Sequence, residues 1–321
     1  MNFLRILALC SASLLAAVGA QAADVFPDKP IQIVIPYPPG GSADAVGRPL
    51  SVALAKHLKS PVILDYKGGA SGTIATGYVA RAKPDGYTLI LVLAAHAINP
   101  SLYPKLPYDT AKDFTSLGKV AELPLGIYLN PAFPAKNVEE LIAYAKKNPG
   151  QVTFSSAGNG NTTHLAAELF ANMAGVKILH VPYKGGGPAL TAALGGEVSG
   201  MFDGTQTYNM AKAGKLRAIG FASEKRIAFA PDVPTVSEAG LKDFVVSGWY
   251  GVLAPAGLPA DVEAVLSKGL RAALDDPEFR KIVEPLGYVV TPASGPAFRK
   301  YVQQEQERWA DVIQKAGVKL E

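Results

Sequence analysis

The chain has 321 residues, with 31 Lys and Arg against 27 Asp and Glu. This mildly basic balance forms no basic cluster and no interleaving with aromatic residues, which excludes nucleic acid as the main partner. The length suffices for about two domains around a sizeable core.

The first stretch reads as a leader. Arg5 precedes an apolar run rich in Leu and Ala, residues 6–18, and Ala20-Gln21-Ala22 is a small-x-small cleavage signal. The run is short for a membrane span of about 20 residues, so residues 1–23 are expected to be a cleaved signal peptide. Cys10, the only cysteine, lies inside it. The bulky Leu9 before it and its early position argue against a lipid anchor. Without Cys10 the chain has no disulfide, thiol nucleophile or thiolate metal site. No later run is long and apolar enough to cross a bilayer.

Residues 31–35 are an apolar run that predicts a buried strand, stopped by Pro36, Pro38 and Pro39. Gly40 and Gly41 allow a tight turn, and Ser42 or Asp44 can cap a helix over residues 43–57. A strand, a glycine turn and a helix N-terminus together offer free N–H groups and about half a positive charge to an anion, or simply an ordinary strand-to-helix connection. Residues 61–65 predict a second strand, leading into GGASGTIATGYVARA, a glycine turn with a small-residue helix. Residues 87–93 predict a third. This βαβα order implies a parallel sheet covered on both faces. Residues 109–117 read as polar and turn-like, and the chain is expected to leave this lobe near residues 120–124.

A second series follows. Residues 127–129 predict a short strand, and Asn137 caps a helix over residues 138–147. A strand at residues 152–155 precedes the loop SSAGNGNTT, where Thr162 or Thr163 opens a helix over residues 164–173. A strand at residues 177–181 leads into Tyr183-Lys184-Gly185-Gly186-Gly187-Pro188 and a helix to Leu194. Strands follow at residues 198–202, ending at Asp203, and at residues 216–221. Loop and short helix are expected at residues 231–234 and 238–240. Residues 249–253 predict a strand returning to the first lobe. Helices at residues 260–274, 277–286 and 296–315 complete the chain. The expected fold is α/β: two doubly wound sheets joined by a two-strand hinge, with a cleft between them. Lobe 1 would hold residues 24–122 and 248–321, and lobe 2 residues 123–247.

The turns after the strands at residues 31–35 and 152–155 sit where open α/β sheets bind ligands, outside strand C-termini. Two opposed helix N-termini could hold a carboxylate from both sides, with hydroxyl donors from Ser42, Ser156, Thr162 and Thr163. Neither turn contains Lys or Arg, which suits a small carboxylate better than a phosphate chain. Gly158-Asn159-Gly160 is not a dinucleotide fingerprint, because Thr163 occupies the third glycine position. Gly69-Ala70-Ser71-Gly72-Thr73 is not a nucleophile elbow. His164 and Glu168 have metal-ligand spacing but lack a second His, so capping or packing is expected. His57, His96 and His180 are scattered. No catalytic set, metal site or cofactor is indicated. Asp203 could accept a hydrogen bond from a ligand or cap the helix after Gly204.

These residues carry a resemblance that spans the chain beyond the leader. PDKPIQIVIPYPPGGSADAVGR, GGASGTIA with AKPDGYTL, HAINPSLY with LPYDTAKDF, SSAGNGNTTHLAAELF, HVPYKGGGPAL and SGWYGVLAPAGLP occur in one order and spacing. In these the chain resembles the tripartite tricarboxylate transporter substrate-binding proteins, or Bug family. The resemblance implies a monomeric periplasmic binding protein of type II-like, two-lobed form. It would capture a small carboxylate and pass it to inner-membrane permease subunits, or alternatively report it as the sensing subunit of a signalling system. It maps one carboxylate to Tyr37, Gly40, Gly41 and Ser42 and to Ser156, Asn159, Thr162 and Thr163. The far end of the ligand would be read at Ser71, Ala94 and Asp203. Ser71 departs from the family, which more often has glycine there.

Overall fold

In the computed structural model, which describes residues 26–316, the first apolar run forms β1 (Ile31–Ile35), buried at every position except Gln32. The expected leader, with Cys10, lies outside the described residues. Prolines end β1, and the chain turns into α1 (Ser42–Leu58). Then come β2 (Val62–Tyr66), α2 (Thr73–Ala80), β3 (Thr88–Leu93) and α3 (Ala95–Leu102). A long strand, β4 (Phe114–Leu129), leads to α4 (Val138–Lys147), β5 (Val152–Ser156), α5 (Thr162–Ala174), β6 (Ile178–Pro182), α6 (Gly186–Gly195), β7 (Gly200–Gly204), α7 (Tyr208–Lys212) and β8 (Arg217–Phe221). The return is β9 (Ser247–Pro255), followed by α8 (Ala260–Asp275), α9 (Pro277–Val283), β10 (Val289–Ser294) and α10 (Gly295–Ala316).

The strands form two halves with one plan. In the first, β2 and β3 flank β1 in parallel, and β9 then β4 add antiparallel strands, giving the order β2-β1-β3-β9-β4. In the second, β6 and β7 flank β5 in parallel, and the far half of β4 lies antiparallel between β7 and β8, giving β6-β5-β7-β4-β8. Each lobe therefore places a crossover strand from the other connection beside its third parallel strand. The sequence carries no matching repeat. On β4, pairing passes from β9 to β7 between Pro124, opposite Ser247, and Leu125, opposite Gly204. These two crossing strands hold the lobes together.

Three elements differ from the sequence reading. β4 begins at Phe114, inside the stretch read as a turn, because register shifts between Ser116 and Gly118 and between Lys119 and Ala121 break the two-residue alternation. Lys119 is buried, pairs with Glu122 and lies 4.0 Å over the Tyr301 ring. β10 contains Pro292 and reaches β4 along a single edge, where a missing N–H is tolerated. α3 forms around Pro100 near its C-terminal end.

The core is aromatic where the lobes meet. Trp249 on β9 and Trp309 on α10 are fully buried and donate their indole N–H groups to the same Glu305 carboxylate oxygen at 3.2 and 3.1 Å. The C-terminal helix is thereby tied to a crossing strand. No described helix is long and apolar enough to cross a membrane.

Candidate functional site

The two strand-to-helix turns face one cavity of about 540 Å³ between the lobes, within the size range of small-molecule sites. The lobe 1 turn uses its glycines differently. Gly40 sits at φ +86°, a left-handed conformation that favours glycine, whereas Gly41, the residue before the helix, is ordinary extended backbone. Neither Ser42 nor Asp44 caps α1, although both were expected candidates. Asp44 instead lies inside the turn. Its carboxylate accepts the Gly40 amide at 2.9 Å, the Arg48 Nε–H at 2.9 Å and the Tyr66 hydroxyl. Burial alone would raise the Asp44 pKa, but the hydrogen bonds from Tyr66, Gly40 and Arg48 outweigh it and hold the carboxyl below its usual range. The helix's first bonds run from the Asp44 and Ala45 amides to the Gly41 carbonyl. The amides of Gly41, Ser42 and Ala43 precede them and make no hydrogen bond among the described residues.

The lobe 2 turn is held by neutral groups. Asn161 caps α5 by accepting the Thr163 amide at 3.1 Å. The Thr163 hydroxyl accepts the Ala157 amide at 3.0 Å, and His164 Nδ1 accepts the Gly160 amide at 3.0 Å. The His164 ring stacks on His180 with centroids 3.6 Å apart, and His180 Nε2 pairs with the Ser156 hydroxyl at 2.5 Å. Burial, reinforced by His164, lowers the His180 pKa to about 4, so the His180 ring is neutral at neutral pH. His164 meets Glu168 at 3.5 Å, the packing and capping role expected of that pair. The Thr162 amide, at the first position of α5, makes no hydrogen bond among the described residues.

Between the turns stand tyrosines and one acid. Tyr288 donates its hydroxyl to the Ser42 carbonyl at 2.9 Å. Burial pushes the Tyr250 phenol up to about 12 and raises that of Tyr37, whose buried hydroxyl has no partner among the described residues. The Asp203 carboxylate accepts the Thr207 hydroxyl at 2.6 Å and the Gln206 amide at 3.3 Å, so it does serve the short turn after Gly204. Burial nevertheless raises its pKa.

Of the residues singled out from sequence, Tyr37, Gly40, Gly41, Ser42, Ala94, Thr162, Thr163 and Asp203 line the cavity. Ser71, Ser156 and Asn159 do not. The Ser156 hydroxyl is engaged beneath the turn with His180, and Asn159 is exposed at its tip. Ser71 has φ +51°, the left-handed region in which glycine is unstrained. Sequence reasoning missed Lys184 and the glycines after it, which line the cavity at the start of α6. The signal was present: YKGGGP is a third glycine-rich turn at the C-terminal end of a parallel strand. Lys184 makes no ion pair among the described residues.

Residues 46–318 match the tripartite tricarboxylate transporter family receptors. Protein BugT of Bordetella pertussis is 34% identical, with 100% of each chain covered. The solved periplasmic binding protein BugD is 38% identical with a TM-score of 0.85, covering 92% of this chain and 99% of its own. An R. palustris protein solved with adipate is 31% identical with a TM-score of 0.87, covering 92% and 99%. MatC from Rhodopseudomonas palustris, solved with bound malate, is 34% identical with a TM-score of 0.83, covering 90% and 100%. With the two lobes, the crossing strands and the opposed turns already in place, these matches make the chain a member of the tripartite tricarboxylate transporter receptor family, the Bug-type periplasmic solute-binding proteins.

Proposed function

We propose that this protein captures a small dicarboxylate between its lobes and delivers it to a membrane permease in the periplasm. The observation that carries this reading is the pair of opposed helix starts. The Gly41, Ser42 and Ala43 amides approach the cavity from lobe 1 and the Thr162 amide from lobe 2, none of them hydrogen-bonded among the described residues. Four N–H groups at two positive helix ends suit one carboxylate. Lys184 supplies a cation at the cavity wall, and Asp203, its pKa raised by burial, reads the far end of the ligand. The Asp203 carboxylate can accept a hydrogen bond from a hydroxyl, an amine or a protonated acid at that end. The adipate and malate bound by two relatives fit this two-ended arrangement. Closure would turn the lobes, residues 24–122 with 248–321 and residues 123–247, about the two crossing strands and take the ligand out of water.

The test is a thermal-shift panel on protein stripped by unfolding and refolding, using adipate, malate, tricarboxylates, acidic amino acids and aromatic acids. A ligand at one hundred times its Kd adds about 2.7 kcal/mol, a shift of roughly 4–5 °C at this size. Ser42→Ala and Asp203→Ala should each weaken the responding ligand without unfolding the protein. Absence of a shift with every carboxylate overturns the reading. Capture of permease subunits by ligand-loaded protein tests the delivery step, and capture of a sensor kinase instead would overturn it.

A further inference from the structure

A second, smaller cavity of about 160 Å³ lies within lobe 1, between α3, α10 and the lobe 1 ends of β4 and β9. It is separate from the interlobe cleft, although α3 borders both: Ala94 and Ala95 line the cleft and His96 lines the small pocket. Its polar residues fall into two groups. The inner group is neutral. His96 is 4% exposed, its Nδ1 and the Thr110 hydroxyl are buried with no partner among the described residues, and Ser116 is buried beside them. Buried polar atoms are nearly always hydrogen-bonded, so two orphans lining one cavity point to a polar guest. Burial lowers the His96 pKa to about 4, so the ring meets that guest uncharged. The outer group is cationic: Arg299 on α10 is exposed and makes no ion pair among the described residues, and Gln306 lies beside it. Phe114 and Leu253 supply an apolar wall. No acidic side chain lines the pocket, unlike the cleft with its Asp203.

We propose that this pocket is a second binding site, for a short-chain hydroxymonocarboxylate such as lactate. The carboxylate rests on Arg299 at the mouth, the hydroxyl is held by His96 and Thr110 within, and the short carbon chain lies on Phe114 and Leu253. A pocket less than a third the size of the cleft, with one cation and a neutral inner end, selects a small monoanion with a hydroxyl over a dicarboxylate.

The chain's four histidines make the test direct. His96 lines the pocket, His164 and His180 lie beneath the lobe 2 turn, and His57 is on the surface near Asp276. In full-length protein with labelled histidine rings, lactate titration followed by NMR should shift the His96 signals along a saturating curve. Arg299→Ala should raise the lactate Kd about tenfold, and Thr110→Val, which keeps the shape, several-fold. Propionate, which lacks the hydroxyl, should bind several-fold more weakly at His96. Shifts confined to His164 and His180 would place lactate in the cleft alone and overturn the proposal. So would a silent His96, an Arg299→Ala curve matching the wild type, or propionate binding as tightly as lactate.

Discussion

The turns at the start of α1 and α5 occupy the same place in two lobes of the same topology, yet they are held in opposite ways. In lobe 1 a single carboxylate, Asp44, gathers the Gly40 amide, Arg48 and Tyr66 from inside the turn. In lobe 2 no charge is used: a cap, two hydroxyls and two stacked imidazoles share the work. The carboxylate concentrates the turn's stability in one residue and keeps it ionised to low pH. The neutral network spreads stability over several weaker bonds and depends on imidazoles that must stay unprotonated. Both solutions leave the first helix amides of each lobe free, so the difference lies in how each turn fails rather than in what it offers a ligand.

The largest effect expected from this contrast is Asp44→Ala. It removes the shared acceptor of the Gly40 amide, the Tyr66 phenol and the exposed Arg48 guanidinium, and should cost about 1 to 2 kcal/mol of stability and most of the ligand affinity. Chemical denaturation and ligand titration of the variant read both. If the variant melted within a few tenths of a kcal/mol of the wild type, the turn would not depend on that carboxylate.

Acid should separate the lobes next. His180 titrates at about 4 in the fold against an ordinary imidazole value of 6.5. A base with a lowered folded pKa is favoured neutral, so its contribution is full above pH 6.5 and is lost as pH falls from 6.5 to 4, where the unfolded chain takes up the proton first. His96 acts in the same window from lobe 1. Asp44 lies below its ordinary value of 3.8, so its contribution survives throughout that window. Melting temperature followed between pH 7 and pH 4 should therefore fall, and His180→Gln should make the fall shallower. An unchanged slope would remove His180 from the account. A local loss follows from Asn161→Ala, about 1 to 2 kcal/mol, because Asn161 caps α5 and also accepts the Thr163 hydroxyl at 3.3 Å.

Much of this was legible beforehand, and what was not has definite causes. β1 and α1 could be read because an unbroken apolar run meets three prolines and two glycines. The two lobes could be read from the two successive strand–helix series and the strand returning at residues 249–253. Only the end of β4, residues 127–129, could be read, because register shifts nearer its start erase the alternation that marks a strand. Ser156 looked like a ligand hydroxyl because sequence shows the residue but not the partner, and His180 arrives 24 residues later from the adjacent strand. Asp44 was misread for the same reason. An acid in the first helical turn ordinarily serves the cap or the dipole, and only the return of Tyr66 from β2 shows that this one props the turn from within.

The finest distinction is between the two adjacent glycines of lobe 1. Gly40 needs its residue type for the backbone: at φ +86° a side chain is strained even though a Cβ would meet nothing within 4 Å. Gly41, at φ −91°, is under no such demand, and a Cβ there would approach only the Pro38 carbonyl at 3.9 Å. Gly40→Ala should therefore cost about 1 kcal/mol of stability. Gly41→Ala should leave stability within about 0.5 kcal/mol. Its added methyl would instead stand beside the free amides that line the cleft, so its effect should fall on ligand affinity. Stability and affinity measured on the same two variants decide the matter. If Gly41→Ala bound the responding carboxylate as tightly as the wild type, the amides of the α1 turn would not be where the carboxylate sits, and the ligand would be held chiefly by lobe 2.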